Sequence, residues 1–259
     1  MLPQLKLDAP AVVQQLTGFI QQEFTRAGLP NAVIGLSGGI DSALSAFLTT
    51  HALGAEHVLC VRMPYRSSSA ESLSHAQLVV EKLGVRNETV DITPMVDPLI
   101  ATDEEMDNIR RGNIMARVRM IVLYDRSSRE KALVVGTGNK TETLLGYSTL
   151  HGDAACAVNP LGDLYKAQVR QLARHLGVPE EIVSKPPSAD LWVGQTDEQE
   201  LGFTYEDADA LLYHMFDRNL DDTQLIEVGF DAGLVTSVRE RVRRNEFKRR
   251  PPVTARLTT

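Results

Sequence analysis

The stretch Ala32-Val33-Ile34-Gly35-Leu36-Ser37-Gly38-Gly39-Ile40-Asp41-Ser42 constrains this chain more than any other. It reads as a short buried strand, a glycine turn, and a helix that starts at Asp41-Ser42 and continues from Ala43 to roughly Leu53. Adjacent glycines let the backbone turn tightly and bring its N–H groups close to an anion. The helix that follows points its positive end at the same spot. Ser37 and Ser42 add hydroxyl donors, and Asp41 adds a carboxylate. A carboxylate inside a phosphate cradle makes sense when a divalent cation bridges the two charges. The stretch therefore reads as a loop for pyrophosphate plus a metal.

It is not the Walker loop, because no Lys follows the glycines, and it is not G-x-G-x-x-G, because Gly38 and Gly39 are adjacent. Ser-Gly-Gly-x-Asp-Ser after a strand resembles the loop of the ATP pyrophosphatases, which adenylylate a substrate and release pyrophosphate. The plainer reading is a glycine-rich turn without chemistry. Both serines, the Asp and the flanking strand and helix weigh against it.

At 259 residues the chain is one large domain or two small ones, with length for a sizeable core. Its net charge of −7, from 27 basic and 34 acidic residues, argues against broad charge-driven binding of nucleic acid. The 2 cysteines, Cys60 and Cys156, form no C-x-x-C pair and imply no disulfide framework. Cys60 lies in an apolar strand pattern and is expected to be buried and inert. No signal segment and no apolar run of about 18 residues is seen, so a soluble cytoplasmic protein without a membrane partner is expected.

In order, Asp8 caps a first helix that tolerates Pro10 in its first turn and runs to about Ala27. A second strand is expected over 56–61 and a third over 88–92. Between them, Ser68 and Glu71 form a capping box for a helix to about Leu83. A long helical pattern covers 102–129, with Ile114, Val118 and Ile121 on one stripe. Arg117 and Arg119, two apart, cannot share its face; one can point at a phosphate or carboxylate while the other is solvated, and the plainer reading is two solvated arginines on a surface helix. A fourth strand over 131–136 ends in Thr137-Gly138-Asn139-Lys140-Thr141-Glu142, a second small-residue turn at a strand end. Strands alternating with helices imply an α/β fold with a parallel sheet, right-handed crossovers and ligands at the C-terminal strand ends. Glu142 is then the natural second carboxylate for the metal that Asp41 begins to bind, although spacing alone leaves an exposed turn residue open. His151 reads as catalytic or structural. Lys166 opens a helix through Leu176, and Pro186 and Pro187 keep 185–192 extended. The acidic stretch 193–202 reads as a lid or as disorder. Helices are expected from Tyr205 to about Phe216, near 222–228, and from Val235 to Phe247, the last one basic.

Taken together, Gly35–Ser42, Asn113–Ile121, Val135–Asp153, Asn159–Lys166, Lys185–Trp192, the Asp197-Glu198-x-Glu200-Leu201-Gly202 loop and Asn245–Pro252 resemble the ammonia-dependent NAD synthetases. The resemblance implies a single domain over residues 1–259 with a doubly wound, Rossmann-like sheet of the adenine nucleotide alpha-hydrolase type. It implies a ligase that makes NAD+ from nicotinic acid adenine dinucleotide (deamido-NAD), ATP and ammonia. ATP adenylylates the nicotinate carboxylate and releases pyrophosphate, and ammonia then displaces AMP. It also implies a homodimer.

Carried over by position, the family's ATP contacts fall on Gly35, Leu36, Ser37, Gly38, Gly39, Ile40, Asp41, Ser42, Thr137, Lys166 and Ser188. Its Mg2+ ligands fall on Asp41 and Glu142, its dinucleotide contacts on Arg117 and Lys248, and the catalytic roles on Asp41 and Lys166. Three positions depart from the better-known bacterial members: Leu150, Ala157 and Phe247 stand where those carry Lys, Asp and His. All three concern the dinucleotide side. Glutamine-dependent relatives add an amidohydrolase domain for which this length has no room, so free ammonia or a separate partner supplies nitrogen. Two readings compete. A tRNA-thiolating or other sulfur-transfer ATP pyrophosphatase wants a reactive, often paired Cys and a basic RNA surface; Cys156 has no pair and the chain is acidic. A non-enzymatic adenine-nucleotide module needs no carboxylate pair such as Asp41 with Glu142.

Overall fold

The computed structural model describes residues 3–188, 190–192 and 194–257; Ala189 of the 185–192 stretch and Val193 of the 193–202 stretch lie outside the described residues. The first helix, α1 (Ala9–Ala27), is capped by the Asp8 carboxylate, which accepts from the Ala11 N–H. Strand β1 (Asn31–Gly35), helix α2 (Ile40–Leu53), strand β2 (Val58–Arg62), helix α3 (Ala70–Leu83) and strand β3 (Arg86–Thr89) follow in alternation. Then come α4 (Thr93–Ile100), the long α5 (Asn108–Glu130), β4 (Ala132–Val135) and the short α6 (Lys140–Leu145). The described strands form one parallel sheet in the order β3-β2-β1-β4, with Ala32 opposite Val58 and Ile34 opposite Val135.

Side-chain alternation divides the sheet between two helical layers. Ala32, Ile34, Val58 and Cys60 point into a cluster with Phe24 of α1, Leu44 and Phe47 of α2 and Val79 of α3. Val33, Leu59, Val61 and Ala132 point the other way, against Met115, Val118 and Val122 of α5. Helices thus cover both faces, and the fold is the expected doubly wound α/β. Because β2 and β4 flank β1 on opposite sides, the chain turns away from β1 and from β4 in different directions. The crevice between those turns is where such sheets bind ligands.

The remaining helices are α7 (Lys166–His175), α8 (Glu180–Val183), α9 (Asp197–Leu201), α10 (Tyr205–Leu212), α11 (Asp222–Glu227) and α12 (Ala232–Arg244). A π turn, Tyr213–Asp217, extends α10, and a 3-10 turn, Glu246–Arg249, follows α12. A third apolar cluster joins them: Leu145 of α6, Tyr205 and Leu211 of α10, Leu225 of α11 and Val238 of α12. Helix α10 packs on both α6 and α7, which fastens this cluster to the sheet layers.

Several boundaries differ from the sequence expectation for local physical reasons. Helix α3 is capped by Ser69, whose hydroxyl accepts from the Ser72 N–H; Ser68 caps nothing, its hydroxyl accepting from the Tyr65 N–H, and Glu71 pairs with Lys185 instead of closing a box. A 3-10 turn, Ala55–His57, precedes β2, which therefore starts at Val58. Strand β3 is a polar edge, Arg86–Thr89, so its apolar pattern is weak. Extended pairing nonetheless continues past it, since the Val90 and Ile92 N–H groups donate to the Arg62 and Pro64 carbonyls. Helix α5 begins at Asn108, where Asp107 caps it; the 102–107 part of the expected helix is turn. Ile114 and Val118 pack inward, but Ile121 is 59% exposed, so the expected stripe is broken there.

Candidate active site

Gly35 ends β1, and the next four residues turn the chain into α2. Gly38 carries φ +83°, and a Cβ there would lie 2.1 Å from the Ser72 carbonyl oxygen, so the turn rests directly on the first turn of α3. The loop is closed by its own hydroxyls. Ser42 Oγ lies 3.0 Å from Ser37 Oγ and donates to the Gly39 carbonyl at 3.0 Å, while the Gly39 N–H donates to Ser37 Oγ at 3.2 Å. Asp41 is the second residue of α2, beside the helix's free N–H groups.

The turn after β4 meets this loop. Ser45 of α2 donates to the Gly136 carbonyl at 2.9 Å, and buried Asn139 donates its side-chain amide to Asp41 Oδ1 at 2.9 Å. Asn139 also caps α6 reciprocally with Glu142, which sets Glu142 beside Asp41. Lys166, the first residue of α7 and only 3% exposed, lies between the two carboxylates. Its Nζ donates to Asp41 Oδ2 at 2.5 Å and to Glu142 Oε1 at 3.0 Å, over the Tyr205 ring. Burial alone would depress the ammonium, but Asp41 and then Glu142 outweigh it and hold the lysine above its ordinary value. Glu142 is pushed up to about 7, chiefly by burial, with Lys166 opposing and Asp41 adding to the rise.

These groups line one cavity of about 520 Å³, a size suited to a nucleotide. Beside Lys166, reached through the Tyr205 ring, the cavity wall carries a second polar network. The Tyr147 hydroxyl lies 3.1 Å from Asp197 Oδ1 and 2.7 Å from Glu200 Oε2, and the Tyr205 hydroxyl lies 3.1 Å from Asp197 Oδ2. Burial holds Asp197 above the usual carboxylate range. Among the described residues, no group of three or more His, Cys, Asp or Glu side chains is placed to hold a metal by itself. Asp41 and Glu142 offer hard oxygen ligands from two elements, a donor set that fits Mg2+ when phosphate oxygens and water complete the shell.

A model of the NAD synthase family matches residues 12–252. The chain belongs to that family. It is 53% identical to the NH(3)-dependent NAD(+) synthetase of Chlorobium phaeobacteroides over 255 residues, covering 98% of this chain and 92% of that protein. Among solved structures it is similar to the NH3-dependent NAD synthetase from Campylobacter jejuni in complex with the nitrate ion (33% identity, TM-score 0.83, 97% and 100% of the two chains). It is also similar to the NMN synthetase from Francisella tularensis (30% identity, TM-score 0.87, 97% and 100% of the two chains).

Most residues carried over from the NAD synthases meet in the one cavity: Ser37, Asp41, Thr137, Glu142, Lys166 and Ser188 all face it, with Gly35, Leu36, Gly39, Ile40, Ser42 and Lys248 on its walls. Ser188 holds its loop, donating to the Gln195 carbonyl at 2.8 Å. Lys248 reaches back from the turn after α12, its Nζ donating to the Gly146 and Ser148 carbonyls at 2.7 and 2.8 Å. Two positions stand elsewhere. Gly38 faces α3, and Arg117 is exposed off the cavity wall, its Nε donating to the Leu150 carbonyl at 3.3 Å. Arg119 takes the inner place, its Nε donating to the Met63 carbonyl at 3.0 Å, and burial pushes its guanidinium below the ordinary value. His151 is exposed and Cys156 does not line the cavity, so neither the catalytic reading of that His nor a sulfur-transfer role for that Cys gains from the fold. The 193–202 stretch contains helix α9 with Asp197 and Leu201 buried, which overturns disorder there for the described residues. Tyr147, Asp197 and Glu200 at the wall are not singled out by residue type and spacing; the signal for the two carboxylates is the Asp-Glu-x-Glu block, which marks the stretch without saying which carboxylate points inward. Arg119 is named beside Arg117 in the sequence, but the spacing does not say which of the two turns inward.

Proposed function

We infer that the protein is an ammonia-dependent NAD+ synthetase, a ligase that amidates deamido-NAD with ammonia at the expense of ATP. The observation that carries the reading is Lys166, held between Asp41 and Glu142 in the crevice of β1 and β4. Backbone N–H groups of the 37–42 turn and the start of α2 receive the triphosphate. The Lys166 ammonium neutralises charge that grows on the departing pyrophosphate, the Thr137 hydroxyl orients it, and Ser188 holds the adjoining loop. Asp41 and Glu142 are the residues that would hold Mg2+, which when bound would supply further charge neutralisation. A nicotinate carboxylate oxygen attacks the α-phosphorus and pyrophosphate leaves. Ammonia nitrogen then attacks the acyl carbon, the bond to AMP breaks, and one proton is released. Ammonia is already a nucleophile, so no covalent protein intermediate is needed.

The dinucleotide is assigned to Lys248 and Arg117, with the exposed Arg117 acting at the rim. The protein is taken to work as one domain over residues 1–259, as a homodimer and in the cytoplasm, with no nucleic-acid or membrane partner. Exposed Ile109, Ile121 and Tyr124 on α5, beside Met95 and Leu99 on α4, support a protein-covered face, and among the described residues no helix is long and apolar enough to cross a membrane.

The test is release of AMP, pyrophosphate and NAD+ with each of ATP, Mg2+, deamido-NAD and ammonium omitted in turn. Equal amounts of AMP and NAD+, dependent on all four, are expected. Nicotinic acid mononucleotide is run as a competing acceptor, since one structural neighbour is an NMN synthetase. Preferential turnover of the mononucleotide would keep the chemistry and reassign the acceptor.

A further inference from the structure

Asp209, in the middle of α10, is 1% exposed and takes no part in the chemistry above. Its two oxygens reach two different helices. Oδ1 accepts from the Thr141 hydroxyl at 2.5 Å, in the first turn of α6 and next to Glu142. Oδ2 accepts from the Ala167 N–H at 2.7 Å, at the start of α7. Thr141 Oγ1 completes the link by accepting from the Lys166 N–H at 3.0 Å.

The first N–H groups of a helix lack partners within it, and buried ones must find them elsewhere. Helix α7 obtains two of its partners from Asp209 and Thr141, which come from outside its own segment. The residues that receive them are Lys166 and its neighbour, so this cap fixes the backbone from which the ammonium side chain is launched. The same carboxylate restrains Thr141, so Glu142 and Lys166 are referred to one buried point. A negative charge at the positive end of α7 also suits the helix dipole.

We propose that Asp209 is a positioning residue that sets the Glu142–Lys166 spacing by clamping the starts of α6 and α7 together. The proposal rests on Lys166 and Glu142 having the roles inferred above. Substituting Asp209→Asn keeps the shape but removes the charge and one of the two acceptor oxygens: if the amide oxygen keeps the Ala167 N–H, the amide N–H faces Thr141, whose hydroxyl must turn from donor to acceptor, so two charge-assisted hydrogen bonds become weaker neutral ones.

The experiment compares wild type, Asp209→Asn, Asp209→Glu and Thr141→Val by melting temperature, ATP KM, kcat per site and Mg2+ titration, with sites counted from the pre-steady-state burst of pyrophosphate. For Asp209→Asn, kcat per site is expected to fall about 10- to 100-fold, as for loss of precise placement of charged catalytic groups. The Mg2+ concentration for half-maximal rate should rise several-fold while ATP KM changes little. Thr141→Val should shift both in the same direction by less, and it carries the test alone if Asp209→Asn fails to fold. Asp209→Glu, which restores the charge, should recover part of kcat. A purely structural role would lower the melting temperature but leave kcat per site and the Mg2+ titration at wild-type values, and that result overturns the proposal. Lys166→Met and Glu142→Gln are the controls. If both are impaired while Asp209→Asn and Thr141→Val are normal, the clamp alone fails; if both are fully active, the site reading fails and the clamp with it.

Discussion

Lys166 Nζ lies 2.5 Å from Asp41 Oδ2, which joins the first residue of α7 to the first turn of α2 across 125 positions of sequence. Both groups are drawn from helix starts, and the proposed function sets both at the same phosphate. Asp41→Asn removes a charge without changing shape. Turnover is expected to fall at least about 100-fold, in the range of lost electrostatic stabilisation at a reacting centre. Circular dichroism should remain that of the wild type, and near-normal activity would remove Asp41 from the metal site.

Acid should weaken the enzyme through Glu142, whose pKa stands at about 7 because burial disfavours its charge more than Lys166 restores it. Below that pH the group takes up a proton and the pair loses one of its two carboxylates. The pH profile of kcat/KM reports the free enzyme, so it should decline on the acid side of about pH 7. Bound cation favours the ionised form, which places the decline in kcat at lower pH. In Glu142→Gln the acid limb should vanish and the Mg2+ requirement should rise; an unchanged limb would assign the titration elsewhere.

Gly38→Ala places a methyl group 2.1 Å from the Ser72 carbonyl oxygen at a φ of +83°. Strain of about 1–3 kcal/mol is expected, together with displacement of the phosphate turn from α3. Calorimetry should show a lower melting temperature, and ATP KM should rise about tenfold or more, the equivalent of about 1.4 kcal/mol.

Leu150→Lys tests the dinucleotide side. The Leu150 carbonyl accepts from Arg117 Nε, and both residues stand off the cavity wall that holds Lys166. The change should leave ATP KM alone and alter KM for deamido-NAD. A shift confined to ATP would place this loop at the wrong substrate.

Burial pushes the Cys60 thiol up to about 12, so it stays protonated at ordinary pH. Iodoacetamide at pH 8 should modify the native protein only at Cys156 and the unfolded protein at both cysteines. Mass spectrometry of the intact chain reads the difference directly.

The sheet was legible because buried parallel strands write themselves as short apolar runs, as at Ala32–Ile34 and Val58–Val61. The phosphate turn was legible because it needs specific residues in consecutive positions. Strand β3 was placed late because its pairing edge is polar and its apolar residues follow it, and α4 was missed because Pro94 and Pro98 read as breaks although one opens the helix and the other is carried within it. The inward turn of Arg119 over Arg117, and of Asp197 within its acidic block, is not legible for a different reason. Which of two nearby charges points inward depends on how α5 and α9 pack, and neither helix shows this in its own composition. Asp209 lies within an acidic, amphipathic helix, where a buried carboxylate looks like any solvated one.

Placing the clamp on α10 has a consequence for a chain made from its N-terminus onward. The four described strands have all been made once β4 is synthesised, and N-terminal parts of a chain can fold while the rest is still being made. Asp209, however, follows Ala167 by 42 positions. Until α10 has emerged from the ribosome and docked, the Ala167 N–H lacks the partner it has in the finished fold. The proposed clamp therefore closes only near the end of synthesis, and catalytic competence is expected to come last.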